Sequence, residues 1–331
     1  MARRLGVWLA ATLAAAAGGC GTQQDVLGTS GSALLTAMDD LALPGETIEL
    51  TARLQIGDLL RDAPGHIVCF YRDGTLWKAA QTDDEGVAAV SFVPPAAGDY
   101  SFTAAVSPTG LNEAPPQPRT LLIACRAAEA PMVVVDLDKT LVASGFETVL
   151  IGSPQPMAGS QEVLQRLAGT HTIVYLTHRP DYFGPKSKAW LVEHRYPQGP
   201  VLLSRMGEFL AGSGEYKTQA LARLTARFHN IRIGIGDKVS DAMAYHRNGL
   251  KAFAIVPVEG RTEDAAGLEA LADELKALPP AVQVVTGWDQ IEQALFAGAS
   301  YPPAGVERRL RELAEARRRQ GAATQQTDPQ L

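Results

Sequence analysis

The sequence has few cysteines, no excess of positive charge, and an N-terminal apolar run too short to span a membrane. Three cysteines among 331 residues are too few for a scaffold held together by disulfides. A formal net charge of −6 provides no basic field of the kind that binds nucleic acid, so no nucleic-acid partner is expected. The run Leu5–Ala17 is shorter than the roughly 20 residues that a membrane-spanning helix needs. The chain is instead long enough for two ordinary globular domains.

The N-terminus has the pattern of an export signal. Arg3 supplies positive charge before the apolar run, and small residues lead from Ala17 into Cys20. We interpret residues 1–19 as a signal peptide and residues 20–31, which are polar and Gly-rich, as a tether. The cysteine after small residues resembles a bacterial lipobox, although Ala17 stands where that pattern prefers leucine. The resemblance implies lipidation of Cys20 and anchoring to a membrane surface in the cell envelope, on the periplasmic or extracellular side. The alternative is an ordinary signal peptide and a secreted, soluble protein.

Residues 32–126 have the pattern of an all-β domain. Glu46–Leu54 alternates apolar and polar side chains, as a strand with one buried face does. Turn residues separate further predicted strands at Ile67–Tyr71, Val87–Val93, Tyr100–Val106 and Thr120–Cys125. This spacing predicts a β-sandwich, and the runs around Gly45 and Gly98 resemble bacterial immunoglobulin-like domains.

Two features of this sandwich stay open at the level of sequence. Tyr100 is either the corner tyrosine of an immunoglobulin-like domain or a plain core side chain. Cys69 and Cys125 both lie in predicted strands, and an exported protein could oxidise them to a disulfide. Two separate buried thiols are the alternative.

From residue 131 to residue 300, predicted strands alternate with predicted helices. The strands are Met132–Leu137, Thr172–Leu176, Pro200–Leu203, Ile231–Ile235 and Ala252–Ile255, and the helices lie near Ser160–Leu167, Lys186–His194, Tyr216–Phe228 and Asp241–Asn248. Two of these strands are nearly continuous apolar runs, as central strands of a parallel sheet are. The pattern predicts an α/β domain with helices flanking a parallel sheet. Residues 301–331 are predicted to form a helix over Gly305–Arg319 and a disordered tail.

The first strand of this domain leads directly into two acidic residues, Asp136 and Asp138. Ligand sites in open α/β sheets lie at the carboxyl ends of the strands. One carboxylate could attack phosphorus, and the other could protonate the leaving oxygen and then activate water. Paired acids at a strand end are also common as helix caps or surface charges, so the pair alone leaves its role open.

Polar residues follow the later predicted strands as well. Thr177 and Arg179 follow the second strand, where a hydroxyl and a guanidinium suit phosphate oxygens. Lys217, at the start of a predicted helix, can neutralise phosphate charge. Asp237 and Asp241 offer oxygen ligands of the kind that Mg²⁺ prefers. Together these residues suit phosphoryl transfer, which depends mostly on positioning and charge neutralisation.

In chain order, these residues match the four motifs of the haloacid dehalogenase superfamily over about residues 131–260. The matching positions are Asp136-x-Asp138-x-Thr140, Thr177, Lys217 and Gly236-Asp237-x-x-Ser240-Asp241. The resemblance implies a Rossmannoid parallel sheet of the haloacid dehalogenase (HAD) type. The predicted fold class is therefore α/β, with an all-β immunoglobulin-like sandwich preceding the HAD-like domain.

The same resemblance implies a role for each matching residue. Asp136 would form an aspartyl-phosphate and bind Mg²⁺, and Asp138 would be the general acid and base and give its backbone carbonyl to the metal. The remaining roles that it implies are phosphate binding for Thr177 and Lys217, metal binding for Asp237, and support of Lys217 or of the metal through water for Asp241. We also predict phosphate binding by Thr140, which lies in the first motif, and by Arg179, whose guanidinium suits phosphate. An acid at position 138 indicates a phosphatase or phosphotransferase, because the dehalogenases lack it and the ion-pumping ATPases carry threonine there.

A finer resemblance concerns the substrate. Tyr196–Ser204 is similar to a Pro-x-Gly-Pro-apolar-Leu-Ser run of the lipin-type phosphatidate phosphatases, and Gly236–Gly249 is also similar. Lys139 and Asp237 depart from that pattern, since lipins have glycine and usually asparagine there. The resemblance implies dephosphorylation of phosphatidate to diacylglycerol. Alternatives are a phosphatase of a small soluble phosphomonoester, a non-catalytic phosphatidate-binding lipoprotein, or a sandwich that works in adhesion or envelope assembly.

Three further segments bear on the substrate. Ser144–Pro156 has room only for a loop or a small hairpin where superfamily members often insert a cap domain, so we expect an open site. The aromatic residues Tyr182, Phe183 and Trp190 are either core side chains or an apolar lip for an acyl chain. The arginine-rich helix Gly305–Arg319 either rests on anionic lipid or is solvated and salt-bridged by its interleaved glutamates.

Overall fold

A computed structural model describes residues 33–57, 59–109, 111, 114–143, 154–205, 208–209 and 212–326, with only the backbone for 321–326. The predicted signal peptide, the tether, Cys20 and residues 144–153 of the expected open loop lie outside the described residues. The described chain divides into two compact units. The first contains residues 33–130 and 177–209, and the second contains residues 131–143, 154–176 and 212–326.

The first unit contains two β-sheets that share one hydrophobic core. Its strands are β1 (Ala33–Ala37), β2 (Asp40–Ala42), β3 (Ile48–Ile56), β4 (Arg61–Asp62), β5 (Ile67–Arg72), β6 (Thr75–Gln81), β7 (Val87–Phe92), β8 (Gly98–Val106) and β9 (Arg119–Cys125). One sheet has the order β1-β3-β4 with β7 paired to β3, and the other has the order β2-β9-β8-β5-β6. Buried side chains from both sheets, such as Leu50 and Phe102, form the core. We call residues 33–126 the β-sandwich.

Predicted and observed strands agree at five of the nine described strands of the β-sandwich. The strands β3, β5, β7, β8 and β9 lie within two residues of their predicted bounds. Strand β1 was not predicted, because all five of its residues are buried and the sequence ALLTA has no alternation. Strand β6 was not predicted either, since it lies at a sheet edge and is largely exposed. The immunoglobulin-like subtype of the sandwich stays a prediction.

Cys69 and Cys125 are free thiols in this structure. Cys69 lies in β5 and Cys125 in β9, with β8 between them in the sheet. Two strand spacings amount to roughly 10 Å, which exceeds the separation of about 4.4–6.8 Å between the Cα atoms of a disulfide. Burial raises the pKa of the Cys125 thiol. The structure therefore favours the two separate thiols.

Tyr100 packs its ring against Phe92 and bonds its hydroxyl to the backbone four residues upstream. The hydroxyl donates to the Ala96 carbonyl at 2.8 Å and accepts from the Ala96 N–H at 3.3 Å. A corner tyrosine of a β-sandwich makes this type of backward hydrogen bond. The ring is half-buried against the core, and the role of Tyr100 as the corner tyrosine of an immunoglobulin-like domain stays a prediction.

A six-stranded sheet follows, which confirms the predicted α/β character of this part of the chain. Its strands are β10 (Met132–Val135), β11 (Thr172–Pro180), β12 (Val201–Ser204), β13 (Ile231–Gly236), β14 (Lys251–Ile255) and β15 (Gln283–Val285), in the order β12-β11-β10-β13-β14-β15. The pairs from β11 through β15 are parallel. Strand β10 is fully buried between β11 and β13, as its apolar sequence MVVV predicts.

Helices connect these strands and follow the sheet. They are α1 (Ser160–Ala168), α2 (Gly184–Glu193), α3 (Ser213–Thr225), α4 (Val239–Arg247), α5 (Ala265–Lys276), α6 (Trp288–Phe296) and α7 (Pro303–Gln326). The first four lie near their predicted positions, whereas β15, α5 and α6 were not predicted. Strand β11 starts in the second unit and ends in the first, which also contains α2 and β12.

The last helix, α7, packs along α5 through ion pairs. Arg311 pairs with Asp273 at 2.8 Å and with Glu307 at 2.7 Å, and Arg318 pairs with Glu269. These contacts favour the interpretation of a solvated, salt-bridged helix. Within the part of the chain that the structure describes, no helix is both long enough and apolar enough for a membrane crossing.

The three aromatic side chains proposed as an apolar lip are buried in the first unit. Tyr182 and Phe183 form a cluster with Leu34. Trp190 stacks against Tyr196, with ring centroids 5.2 Å apart. An acyl chain cannot lie against buried rings, so the lip hypothesis is wrong and the core interpretation holds.

Candidate active site

Asp136 lies directly after the central strand β10, where its buried side chain faces the carboxyl end of the sheet. Its N–H donates to the Ile235 carbonyl at 2.9 Å, which joins the end of β10 to β13. The apolar run of β10 thus places one acidic group inside the protein, 4% exposed. An acid at this depth needs a partner of opposite charge.

Lys217 provides that partner. Its Nζ lies 3.0 Å from Asp136 Oδ2 and 2.6 Å from Asp241 Oδ2, and all three side chains are buried. Ser213 Oγ donates to Asp241 Oδ1 at 3.4 Å. Helix α3 begins at Ser213 rather than at the predicted Tyr216, so Lys217 lies in its second turn. The packing of α3 against α4 therefore brings Lys217 and Asp241 together.

Asp237 completes a group of three carboxylates. One oxygen each from Asp136, Asp237 and Asp241 lies within 4.8 Å of the others. Oδ1 of Asp237 is buried and has no hydrogen-bond partner among the described residues. Lys217 balances only part of the negative charge of this group. A buried, unsatisfied oxygen within an all-oxygen donor set with excess negative charge fits a hard divalent cation such as Mg²⁺.

The pKa values of this group reflect its burial and its charges. Burial raises the pKa of Asp136, Asp241 raises it further, and Lys217 opposes both. Burial, with Asp136 and Asp241, raises the pKa of Asp237 to about 7. Burial alone would lower the pKa of Lys217, but the two facing carboxylates hold it well above its ordinary value. Lys217 therefore stays charged at neutral pH.

Glycines allow helix α4 to approach β13 closely. A Cβ atom on Gly234 would lie 2.3 Å from Cγ of Tyr245, and one on Gly236 would lie 3.0 Å from Cβ of Asp241. No side chain fits at such distances. Tyr245 is buried, and its hydroxyl donates to the Ile235 carbonyl at 3.3 Å. The close contact seats Asp241 against the strand end.

The loop after Asp136 turns tightly around one carbonyl. The Leu137 oxygen accepts from the N–H groups of Leu141 at 2.9 Å and Val142 at 3.0 Å. Lys139 adopts a left-handed conformation with φ of 52°, where lipins have glycine. Asp138 is half-buried in this loop. Thr140 is buried, and its Oγ1 has no hydrogen-bond partner among the described residues. Its hydroxyl can therefore donate a hydrogen bond to an oxygen of a ligand.

Trp288 fixes this loop from outside all four sequence motifs. Its buried indole Nε1–H donates to the Thr140 carbonyl at 2.7 Å. Trp288 begins α6, where Trp288, Ile291 and Ala294 are buried at helical spacing. That spacing could have identified the helix in the sequence. It could not have identified the hydrogen bond, since the two residues lie 148 positions apart.

Replacing Trp288 with phenylalanine removes this hydrogen bond and retains most of the ring. We expect the catalytic rate to fall about tenfold, because the loss of a buried hydrogen bond costs about 1–2 kcal/mol at a loop that carries reacting groups. Steady-state kinetics on the phosphate ester that the protein turns over would measure this. Phe296→Leu, at the half-exposed end of the same helix, is the control. Equal rates for both variants would contradict a role for the indole.

Thr177 and Arg179 belong to the first unit. Both are buried, and Thr177 Oγ1 accepts from the Arg179 N–H at 3.4 Å. Arg179 Nη1 donates to Ser187 Oγ at 2.9 Å, and the ring of His178 stacks on Phe209 at 4.8 Å. The structure thus brings together Asp136, Lys217, Asp237 and Asp241 in the second unit. The phosphate contacts of Thr177 and Arg179 stay a prediction.

One protein family matches the part of the chain that contains the four clustered residues. Residues 133–258 match the LNS2 domain of the PITM 1–3 family. This domain is HAD-like and related to that of the lipins, so the match supports a HAD-like phosphatase domain here. No curated protein matches the chain.

Several solved structures match about a third of the chain. Fibronectin(III)-like modules of Clostridium thermocellum CbhA are 15% identical over 30% of this chain and 48% of theirs, with a TM-score of 0.22. A CARDB domain from Pyrococcus furiosus is 20% identical over 29% of this chain and all of its own, with a TM-score of 0.21. The M1 domain from titin is 12% identical over 29% of this chain and 96% of its own, also at 0.21. Scores this low carry no argument about fold or function.

Proposed function

We propose that the protein is a Mg²⁺-dependent phosphatase that acts through an aspartyl-phosphate on Asp136, with phosphatidate as its substrate. The observation that carries this proposal is the buried group of Asp136, Lys217, Asp237 and Asp241, within a stretch that matches a HAD-like phosphatase domain. Such a group combines a nucleophile, a permanent positive charge and a cluster of oxygen ligands.

The reaction proceeds in two displacements at phosphorus. A carboxylate oxygen of Asp136 attacks phosphorus, and the bond from phosphorus to the ester oxygen breaks. Asp138 gives its proton to the leaving oxygen. Asp138 then takes a proton from water, which attacks the phosphorus of the aspartyl-phosphate and releases inorganic phosphate. Asp136 is regenerated, and both residues return to their starting protonation states.

Other side chains neutralise and hold the phosphoryl group. Lys217 stays positively charged, because the facing carboxylates of Asp136 and Asp241 outweigh the effect of burial and hold its pKa well above the ordinary value. The hydroxyl of Thr140 is available to a phosphoryl oxygen. The resemblance assigns the same role to Thr177, and the guanidinium of Arg179 suits a phosphoryl oxygen as well. A Mg²⁺ ion held by Asp136, Asp237, Asp241 and the backbone carbonyl of Asp138 would supply positive charge to the phosphoryl oxygens.

The choice of phosphatidate comes from the lipin-like run Tyr196–Ser204. Its last residue, Ser204, lies in β12, and its Oγ donates to the carbonyls of His178 at 2.9 Å and Arg179 at 3.2 Å. The run therefore supports the backbone of a proposed phosphate-binding residue. A lipid substrate also suits a protein that is anchored through Cys20 to a membrane surface in the cell envelope, which we propose as its location.

The experiment is a measurement of inorganic phosphate released by the full chain in detergent micelles. Phosphatidate is compared with glycerol 3-phosphate and p-nitrophenyl phosphate, each with Mg²⁺ and with EDTA. Release from phosphatidate that needs Mg²⁺ supports the proposal. Release from the soluble esters alone keeps the mechanism and overturns the lipid substrate. No release from any ester overturns catalysis and favours a phosphatidate-binding lipoprotein, which vesicle binding would then test.

A further inference from the structure

We propose that the β-sandwich positions the segment that carries Thr177 and Arg179, and that Arg53 and Asp39 are positioning residues for the phosphatase reaction. We call residues 177–204 the arm. The arm and the β-sandwich belong to the same compact unit. The proposal rests on the proposed function, in which Thr177 and Arg179 bind the phosphoryl group, and it adds to that function two residues outside the HAD-like domain.

Arg53 of strand β3 holds the arm two residues after Arg179. Its Nη1 donates to Asp181 Oδ2 at 3.2 Å, and Nε and Nη2 donate to Asp62 Oδ1 at 3.0 and 2.6 Å. The other oxygen of Asp181 accepts from the Tyr182 N–H at 2.9 Å. The Asp181 side chain is 5% exposed. A guanidinium held by two acids has little freedom to move, so this ion pair fixes the backbone next to Arg179.

Asp39 holds the arm at two further points. Its Oδ1 accepts from Lys188 Nζ in helix α2 at 2.7 Å and from the Leu122 N–H in β9 at 2.7 Å. Its Oδ2 accepts from the Val201 N–H in β12 at 2.9 Å. Lys188 Nζ also donates to the carbonyls of Ala37 and Thr120, at 3.1 Å each. One buried carboxylate therefore joins a helix and a strand of the arm to the β-sandwich.

Apolar contacts lie between these polar anchors. Leu34 of β1 packs with Tyr182 and Phe183, the two aromatic residues after Asp181. Ser187, which accepts the hydrogen bond from Arg179, directly precedes Lys188 on α2. The ten-residue helix α2 is too short to be stable alone. The order of the arm therefore depends on the β-sandwich.

The buried contacts between the β-sandwich and the arm favour a positioning role of the β-sandwich over an independent role in adhesion or assembly. A sandwich that works alone in adhesion or assembly would meet its neighbour through an exposed linker and few contacts. Here the carboxyl groups of Asp39 and Asp181 are buried, and each is paired with a basic side chain on the other side of the contact. Breaking such pairs is costly, which favours a permanent contact.

The test uses the full-length variants Arg53→Gln and Asp39→Asn. Kinetics on the phosphate ester that the wild type hydrolyses should show KM raised about tenfold, the effect of one lost charge-assisted hydrogen bond near a binding group, with a smaller change in kcat. Arg53→Lys, which keeps the charge, should recover part of the loss. Arg126→Gln is the matched control, because Arg126 pairs with Asp99 inside the β-sandwich at 2.7 Å.

Hydrogen exchange provides a readout that does not depend on activity. Peptides covering residues 178–190 should exchange faster in Arg53→Gln and Asp39→Asn, whereas peptides covering 213–225 should not change. Unchanged KM and unchanged exchange in folded variants would overturn the proposal. A wild type that hydrolyses no phosphate ester would remove the phosphatase reaction and the positioning role with it, and the exchange data would then show whether the β-sandwich orders the arm.

Discussion

Replacing Asp136 with asparagine is expected to abolish phosphate release, with kcat reduced on the order of 10,000-fold or more. An amide oxygen does not attack phosphorus, and no other carboxylate follows directly on strand β10. The fold should survive, because asparagine has nearly the same shape and Lys217 keeps Asp241 as a partner at 2.6 Å. The substitution therefore removes the reacting carboxylate oxygen without disturbing the packing around it.

Phosphate release by the purified variant, measured with Mg²⁺ on the best substrate of the wild type, checks this expectation. Asp99→Asn is the matched control, because it removes a carboxylate whose partner is Arg126 in the β-sandwich. Mass spectrometry of acid-quenched wild type should detect a phosphorylated peptide that contains residue 136, and the variant should not form it. Turnover within tenfold of wild type would place the nucleophile on another residue.

The sequence was informative where one chain segment determines its own environment. The continuous apolar run of β10 predicted a central strand, and a central strand predicted that Asp136 would be buried at its end. The alternation of apolar and polar residues likewise predicted β3, whose buried and exposed side chains alternate along most of the strand. Strand β1 and helix α5 were missed, the first because it is buried on both faces and lacks alternation.

Contacts between distant segments could not be read from the sequence. The motif pattern named Lys217 and Asp241, but only the packing of α3 against α4 shows that the lysine joins two carboxylates. The role of Trp288 could not be predicted, because its hydrogen-bond partner is a backbone carbonyl far away in the chain. The regular alternation of strands and helices gave no reason to expect that residues 177–209 would pack with the β-sandwich.

These long-range contacts have a common physical cause in the burial of charge. The side chains of Asp136, Asp241 and Asp39 are buried, and each is paired with a lysine. A buried carboxylate without a partner is strongly unfavourable, so each acid selects one packing arrangement over others. In the second unit one oxygen of Asp237 has no hydrogen-bond partner within the described part of the chain, and a cation would contribute most there.

Replacing Lys217 with methionine tests how far the carboxylates of Asp136 and Asp241 depend on the positive charge of Lys217. We expect the free energy of unfolding of the metal-free protein at pH 7 to fall by roughly 3–5 kcal/mol, the cost of removing one partner of a buried ion pair. Activity should be lost as well, since the proposed phosphate contact is gone. Lys251→Met is the control, because Lys251 is exposed and its Nζ donates to the Ala294 carbonyl at 2.9 Å and lies 5.5 Å from the ring centroid of Phe253.

The stability loss should depend on pH in a defined direction. Lys217 lowers the pKa of Asp136, so its removal raises the pKa of that carboxyl further above the unfolded value. An acid whose pKa is raised in the folded state binds its proton more tightly there, and stability then falls as pH rises from the unfolded pKa towards the folded one. For Asp237 that window runs from 3.8 to about 7.

Urea unfolding in EDTA, followed by tryptophan fluorescence at pH 5 and pH 7.5, measures this dependence. The deficit of Lys217→Met relative to wild type should be clearly smaller at pH 5, where Asp136 and Asp237, whose pKa values are raised, can protonate and need no counter-charge. A deficit that is equal at both pH values would mean that Lys217 stabilises the fold through its apolar stem rather than its charge. A deficit that grows at pH 5 would contradict the assignment of Asp136 and Asp241 as its charged partners.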